Sequence, residues 1–214
     1  MPRQLKKLKP YIVVFFEGES EEAYAEFLRE KYKNVAVIKP VKGLFEEAKA
    51  KFDKAPKYRD NVEVTDEIWF FFDVETKDIT KWDDRYKIIK YLRKRRKKPN
   101  IKIRLLMTTG CIEYWLMLHF KMLAPPLQTT AAKNKMISDL KKIVPTYQKG
   151  DEQSMKKITV NYLNAVKHGE QTVKNLLPAG LPCIVDTDVR NEWLYKKCLT
   201  FSNVHEAINF LESL

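Results

Sequence analysis

Ile12-Val13-Val14-Phe15-Phe16 runs directly into Glu17-Gly18-Glu19-Ser20-Glu21-Glu22, and farther along Ile68-Trp69-Phe70-Phe71-Phe72 runs into Asp73-Val74-Glu75. Unbroken apolar runs of this length, rich in β-branched and aromatic residues, suit strands buried on both faces in the middle of a parallel sheet. Each run stops on carboxylates. In open α/β sheets ligands bind outside the carboxyl ends of the strands. Two such ends lying side by side would gather several acids around one point, which is the outline of a divalent-metal site.

Outward from these strands the pattern is β-α-β-α. After the first strand Ser20 can cap a helix, Glu21 and Glu22 lie in its first turn, where the dipole favours acids, and Tyr24, Phe27 and Leu28 form an apolar stripe. Residues 35–38 read as a second strand, 44–52 as a helix, 68–73 as the next strand, 86–96 as a basic helix and 102–107 as a further strand. Strands alternating with helices imply right-handed crossovers and a largely parallel sheet flanked by helices. The fold class predicted is therefore α/β.

Residues 111–123, CIEYWLMLHFKML, are apolar on nearly every side and predict a buried helix. An ionised Glu113 there would be costly without a partner, and a metal ion is one such partner. Beyond Pro125-Pro126 the character changes. Residues 136–143, 155–166 and 204–214 look helical between loops containing Pro and Gly. We therefore divide the chain into an α/β core, residues 1–124, and a helical insertion or cap with a closing segment, residues 125–214.

Three unpaired-looking cysteines, Cys111, Cys183 and Cys198, argue against a disulfide framework or a zinc module and suggest a reducing, cytoplasmic setting. No stretch approaches the ~20 apolar residues of a membrane span. The net charge is +12, and from Lys90 to Arg104 the chain reads KYLRKRRKKPNIKIR without one acid, while Arg3, Lys6, Lys7 and Lys9 add to it. Such runs attract polyanions through long-range field and counterion release. Arg93, Lys94, Arg95, Arg96, Lys97 and Lys98 are the candidate nucleic-acid contacts. An anionic membrane surface or an acidic protein partner would draw on the same charge, and a basic run is also often no more than a solvated helix face.

Mg²⁺ or Mn²⁺ takes hard oxygen ligands, and Glu17, Glu21, Asp73, Glu75 and Glu113 are the candidate ligands. Acids at strand ends also serve as ordinary caps and turn formers. Ile184-Val185-Asp186-Thr187-Asp188 imitates a strand ending in Asp-x-Asp, but it follows Pro182 and precedes no crossover, so it reads as a loop or edge. His119 reads as a hydrogen-bonded core residue, and His168, beside Gly169, as a helix C-terminal residue. His205 has no ligand-like spacing to His119.

Glu-Gly-Glu-Ser-Glu-Glu-Ala-Tyr at 17–24 is similar to the Glu-Gly-x-Thr-Glu-x-x-Tyr signature of the RloB-like family, relatives of the Toprim nucleases of the overcoming-lysogenization-defect group. Phe-Asp-Val-Glu at 72–75, Cys-Ile-Glu-Tyr-Trp-Leu-Met-Leu-His-Phe at 111–120 and Tyr-Gln-Lys-Gly at 147–150 agree in the right order, with a weaker echo at Ser202-Asn203-Val204-His205. Two departures stand out. Glu75 replaces the family's second aspartate, and Thr108-Thr109-Gly110 replaces its Ser-Asn-Pro lead-in.

The resemblance implies a Toprim-like domain and metal-dependent phosphodiester chemistry. It places Glu17 as general acid or base and Asp73 and Glu75 as Mg²⁺ ligands, with Glu21 and Glu113 completing a second metal position and Lys149 near developing negative charge. It further implies a nuclease of a phage-defence or abortive-infection system, acting on tRNA, other RNA or DNA and often accompanied by a partner ATPase. The competing class is a non-catalytic subunit that binds nucleic acid or the ATPase and keeps the acids as residues without function. A phosphate-transfer receiver with Asp73 as acceptor is a third reading, and it lacks the lysine such chemistry needs. The sequence does not separate monomer from homo-oligomer.

Overall fold

Along β1 (Tyr11–Phe16), Ile12, Val14 and Phe16 enter one hydrophobic core and Val13 and Phe15 enter another, all of them buried. A strand covered on both faces has no polar side to alternate with, hence the unbroken apolar run. The computed structural model describes residues 8–54, 62–96 and 99–214. β3 (Thr65–Val74) divides in the same way, with Trp69 and Phe71 in the first core and Ile68, Phe70, Phe72 and Val74 in the second. With β2 (Val37–Lys42) and β4 (Lys102–Thr109) these strands form an all-parallel sheet in the order β2-β1-β3-β4. The fold is α/β.

The direction of each crossover sets the face of its helix. α1 (Glu19–Tyr32) connects β1 to β2 and packs in the first core through Tyr24 and Leu28. α2 (Phe45–Lys54) and α3 (Trp82–Arg93), whose connections run the other way across the sheet, pack in the second through Phe45, Phe52, Ile89 and Leu92. Right-handed crossovers in opposite directions must use opposite faces. The chain order therefore reverses between β1 and β3, and in open α/β sheets the carboxyl edge at such a reversal is where ligands bind.

The second half is mostly helical: α4 (Ile112–Met117), α5 (Thr130–Ile143), α6 (Glu152–Thr159), α7 (Tyr162–Lys174), α8 (Asp188–Lys197) and α9 (His205–Glu212). α4, α5, α6 and α9 join the core on the α1 side, α8 joins the other, and α7 reaches both through Ala165 and Val173. The exposed edge of β4 is closed by residues 201–203. Asn203 accepts from the Met107 amide (2.6 Å) and donates to the Leu105 carbonyl (2.8 Å), while the Thr109 amide donates to the Phe201 carbonyl. An unpaired strand edge is thereby satisfied.

Several element boundaries differ from the sequence reading. β2 starts at Val37, α3 starts earlier at Trp82, and a 3-10 turn over Thr76–Lys81 precedes it. Gly18, not Ser20, occupies the N-cap of α1, with Ser20 inside its first turn. The helix expected over 111–123 ends at Met117. Its last carbonyls are taken by imidazoles: His119 Nδ1 donates to Trp115 O (3.1 Å) and His168 Nδ1 to Leu118 O (2.6 Å). His168 thus lies in the middle of α7, not at a helix end. The helix expected over 155–166 is two, α6 and α7, and α8 was not anticipated. No helix among the described residues is long and apolar enough to cross a membrane.

Candidate metal centre

The register Phe16↔Phe71 brings the carboxyl ends of β1 and β3 together, so Glu17 and Asp73 emerge from adjacent strands at the reversal point. Glu17 is exposed at the mouth. Glu21 lies one turn farther, in the first turn of α1, and is buried. Gly18 lets its carboxylate fold back, because a Cβ at residue 18 would stand 2.8 Å from Glu21 Oε2. Glu113, in the first turn of α4, is wholly buried.

A loop from the second half closes over these acids. Tyr147 Oη donates to Glu113 Oε1 (3.0 Å) and accepts from Ser20 Oγ (3.2 Å), while Lys149 Nζ lies 3.4 Å from the same Glu113 oxygen. The loop turns at Gly150 with φ of +73°, which an L side chain rarely adopts, and a Cβ there would meet Glu19 Cβ at 2.8 Å. The Tyr-Gln-Lys-Gly and Glu-Gly-Glu-Ser segments are thus packed face to face.

Crowded carboxylates in a dry setting resist ionisation. Glu21 is pushed up to about 7, first by burial and then by the neighbouring Glu113 and Glu17, with a backbone hydrogen bond and, less strongly, Lys149 opposing. Asp73 is raised well above the usual carboxylate range by burial and then by Glu21, Glu113 and Glu17, with Lys133 opposing. The Cys111 thiol is raised by burial and then by Glu113 and Asp73, so it stays protonated. Asp73 Oδ1 and Glu113 Oε2 are sealed from solvent and have no hydrogen-bond partner. Acids that raise one another and leave sealed oxygens unpaired form a donor set suited to a hard cation. As the side chains stand, no three His, Cys, Asp or Glu among the described residues close on one point tightly enough to grip a metal. The acids lie near enough to oppose one another's ionisation without being drawn together.

Glu75 is engaged differently. Its Oε2 pairs with Lys77 (2.8 Å) and its Oε1 with Lys133 (2.7 Å), which comes from the first turn of α5. Its carboxyl is held below the usual range: burial opposes this, and hydrogen bonds from Lys133 and Lys77 outweigh it.

The basic run sits at the other end of the sheet. α3 runs antiparallel to the strands, so its C-terminus meets their amino ends: Arg96 donates to Glu63 O (2.9 Å) and pairs with Asp66, whose carboxylate also accepts from the Tyr11 amide. Arg93 grips Asp188 with two bonds (2.6 and 2.7 Å), and Arg95 donates to Phe52 O (3.0 Å). Lys94 is exposed; Lys97 and Lys98, like Arg3, Lys6 and Lys7, lie outside the described residues. β3, ten residues long, puts roughly 33 Å between the two ends at ~3.3 Å per residue. Asp186 lies in a loop, as expected of an imitation strand, whereas Asp188 opens the unexpected α8; Asp186 pairs with the buried Arg190 (3.2 Å). His119 is a core residue whose Nε2 accepts from Tyr24 Oη (3.3 Å).

The RloB-like protein family model matches residues 12–211. The chain belongs to the RloB-like family. No curated protein and no solved structure matches it. The match in this RloB-like chain includes β1, β3, α4 and the 147–150 loop, the four segments that meet at the acid cluster. Ser20, Cys111, Lys77, Lys133 and Tyr147 were not singled out as site residues from sequence. Tyr147 was visible within its motif. Lys133 carried no local signal, because only the tertiary fold brings α5 to the end of β3.

Proposed function

We propose that this RloB-like protein is a Mg²⁺- or Mn²⁺-dependent nuclease of a phage-defence or abortive-infection system. The observation that carries this is the pair of sealed, unpartnered oxygens, Asp73 Oδ1 and Glu113 Oε2, inside a cluster of mutually opposed acids. Asp73, Glu113 and Glu21 are the residues that would hold the cation; Glu75 would join them only by leaving its two lysines. A bound divalent ion supplies Lewis acidity and a more acidic bound water.

The chain's own residues account for the rest. Glu17, exposed at the mouth, is placed to take a proton from an attacking water or return one to a leaving oxygen. Tyr147 fixes the orientation of Glu113 through one hydrogen bond. Lys149, on a loop fastened to α1, presents its ammonium at the rim, where negative charge would develop on a phosphodiester. RNA, including tRNA, and DNA are both phosphodiester substrates of the right chemistry, and a partner ATPase and cytoplasmic location follow from the family context alone.

A non-catalytic subunit is the second reading, favoured by the occupation of Glu75 by Lys77 and Lys133. Incubating the purified protein with Mg²⁺ or Mn²⁺ and labelled RNA or DNA separates the two. The nuclease reading expects cleavage that Glu17→Gln and Asp73→Asn abolish. Cleavage indifferent to both substitutions would reject it.

A further inference from the structure

Lys133 is costly where it stands. It occupies the first turn of α5, where the helix dipole disfavours a cation, and its side chain is only 22% exposed. Glu75 alone does not explain it, since Lys77 already pairs with that carboxylate at 2.8 Å. Two ammonium groups thus share one carboxylate, at the end of the strand that also carries Asp73, whose ionisation Lys133 favours. An ammonium has three donors, and Glu75 Oε1 takes one.

The carboxyl edge of the sheet thus carries acids at its centre and two ammonium groups over Glu75. A metal-dependent phosphodiesterase needs both, one for the cation and one for the phosphate oxygens that the cation leaves uncovered. We infer that Glu75 is a positioning residue that holds Lys133, and that Lys133 contacts a substrate phosphate at the edge of the acid cluster. This rests on the metal-dependent reading above and assigns the departure from the family's Asp-x-Asp pair a role: the longer glutamate gives up metal ligation and holds a lysine.

The test uses Mn²⁺ alone and inorganic phosphate with Mg²⁺ present, each titrated into the full-length protein by calorimetry and ³¹P NMR. A charge-assisted hydrogen bond lost from the site predicts about tenfold weaker phosphate binding in Lys133→Gln. Lys133→Arg retains the charge and holds binding within about threefold, whereas Glu75→Gln, which only loosens Lys133, weakens it by about threefold. Mn²⁺ affinity stays within about twofold in all three, as expected of residues outside the metal's ligands. Unaltered phosphate binding in Lys133→Gln would overturn the inference alone. So would loss of Mn²⁺ binding in Glu75→Gln as complete as in Asp73→Asn, since that would make Glu75 a ligand. Failure of the wild-type protein to take up Mn²⁺ would overturn the metal-centre reading and this inference with it.

Discussion

Tyr147 is the smallest unit that joins the two halves of the site, because one hydroxyl accepts from Ser20 on α1 and donates to Glu113 on α4. Its removal as Tyr147→Phe leaves the ring packed but frees Glu113 Oε1, and metal affinity should fall by about tenfold, as for other residues that orient a ligand. Protonation supplies a second prediction. The Glu21 and Asp73 carboxyls titrate higher in the folded protein than in the unfolded chain. Their contribution to metal-free stability is thus fully present below the usual carboxylate range and is lost as pH rises, for Glu21 through about 7. His119 and His205, lowered to about 4 chiefly by burial, act in the opposite sense. Their contribution is present above about 6.5 and is lost as pH falls through about 4. Asp73→Asn removes the charge that Glu21 and Glu113 repel. Thermal melts of metal-free protein should show it more stable than wild type at alkaline pH by on the order of 2 kcal/mol, with the gap closing as pH falls. Equal melting temperatures at alkaline pH would mean that the acids do not repel one another.

The sheet's central elements were legible because β1 and β3 are buried on both faces, and unbroken apolar runs leave few alternatives. α4 is shorter than its apolar run because its end depends on His119 and His168, and one of those imidazoles comes from a helix far along the chain. The cluster Glu17, Glu21, Asp73 and Glu113 could be named in advance because three of its members lie at strand ends or just beyond them and the fourth was a lone acid in an apolar helix. The use of Glu75 could not, since Lys133 reaches it only through the packing of α5. The segment after α8 carries its own test. Asn203 satisfies a Met107 amide and a Leu105 carbonyl that water cannot reach, so Asn203→Ala should cost about 2–4 kcal/mol. Denaturant melts should show a lower midpoint with little change in slope. Stability within experimental error of wild type would mean that the β4 edge is closed by something else.

Across the molecule, charge is divided by the length of the sheet: acids gather at the carboxyl edge, and the arginines of the basic run lie at the amino edge, largely committed to Asp188, Phe52 O, Glu63 O and Asp66. A net charge of +12 still raises the local concentration of polyanions, but Arg93 and Arg96 serve the fold first. Arg93→Ala should therefore lower stability by about 1–3 kcal/mol, whereas the exposed Lys94→Ala leaves stability unchanged and only flattens the salt dependence of the nucleic-acid binding that the proposed nuclease requires. All of this matters functionally only if the carboxyl edge holds a cation. Calorimetric titration of Mn²⁺ into metal-free protein near pH 7, in two buffers of different ionisation enthalpy, decides that. Saturable uptake with net proton release, lost in Asp73→Asn, is the expected result, because Glu21, pushed up to about 7, must give up its proton to ligate. No uptake, or an isotherm that Asp73→Asn leaves unchanged, would contradict it.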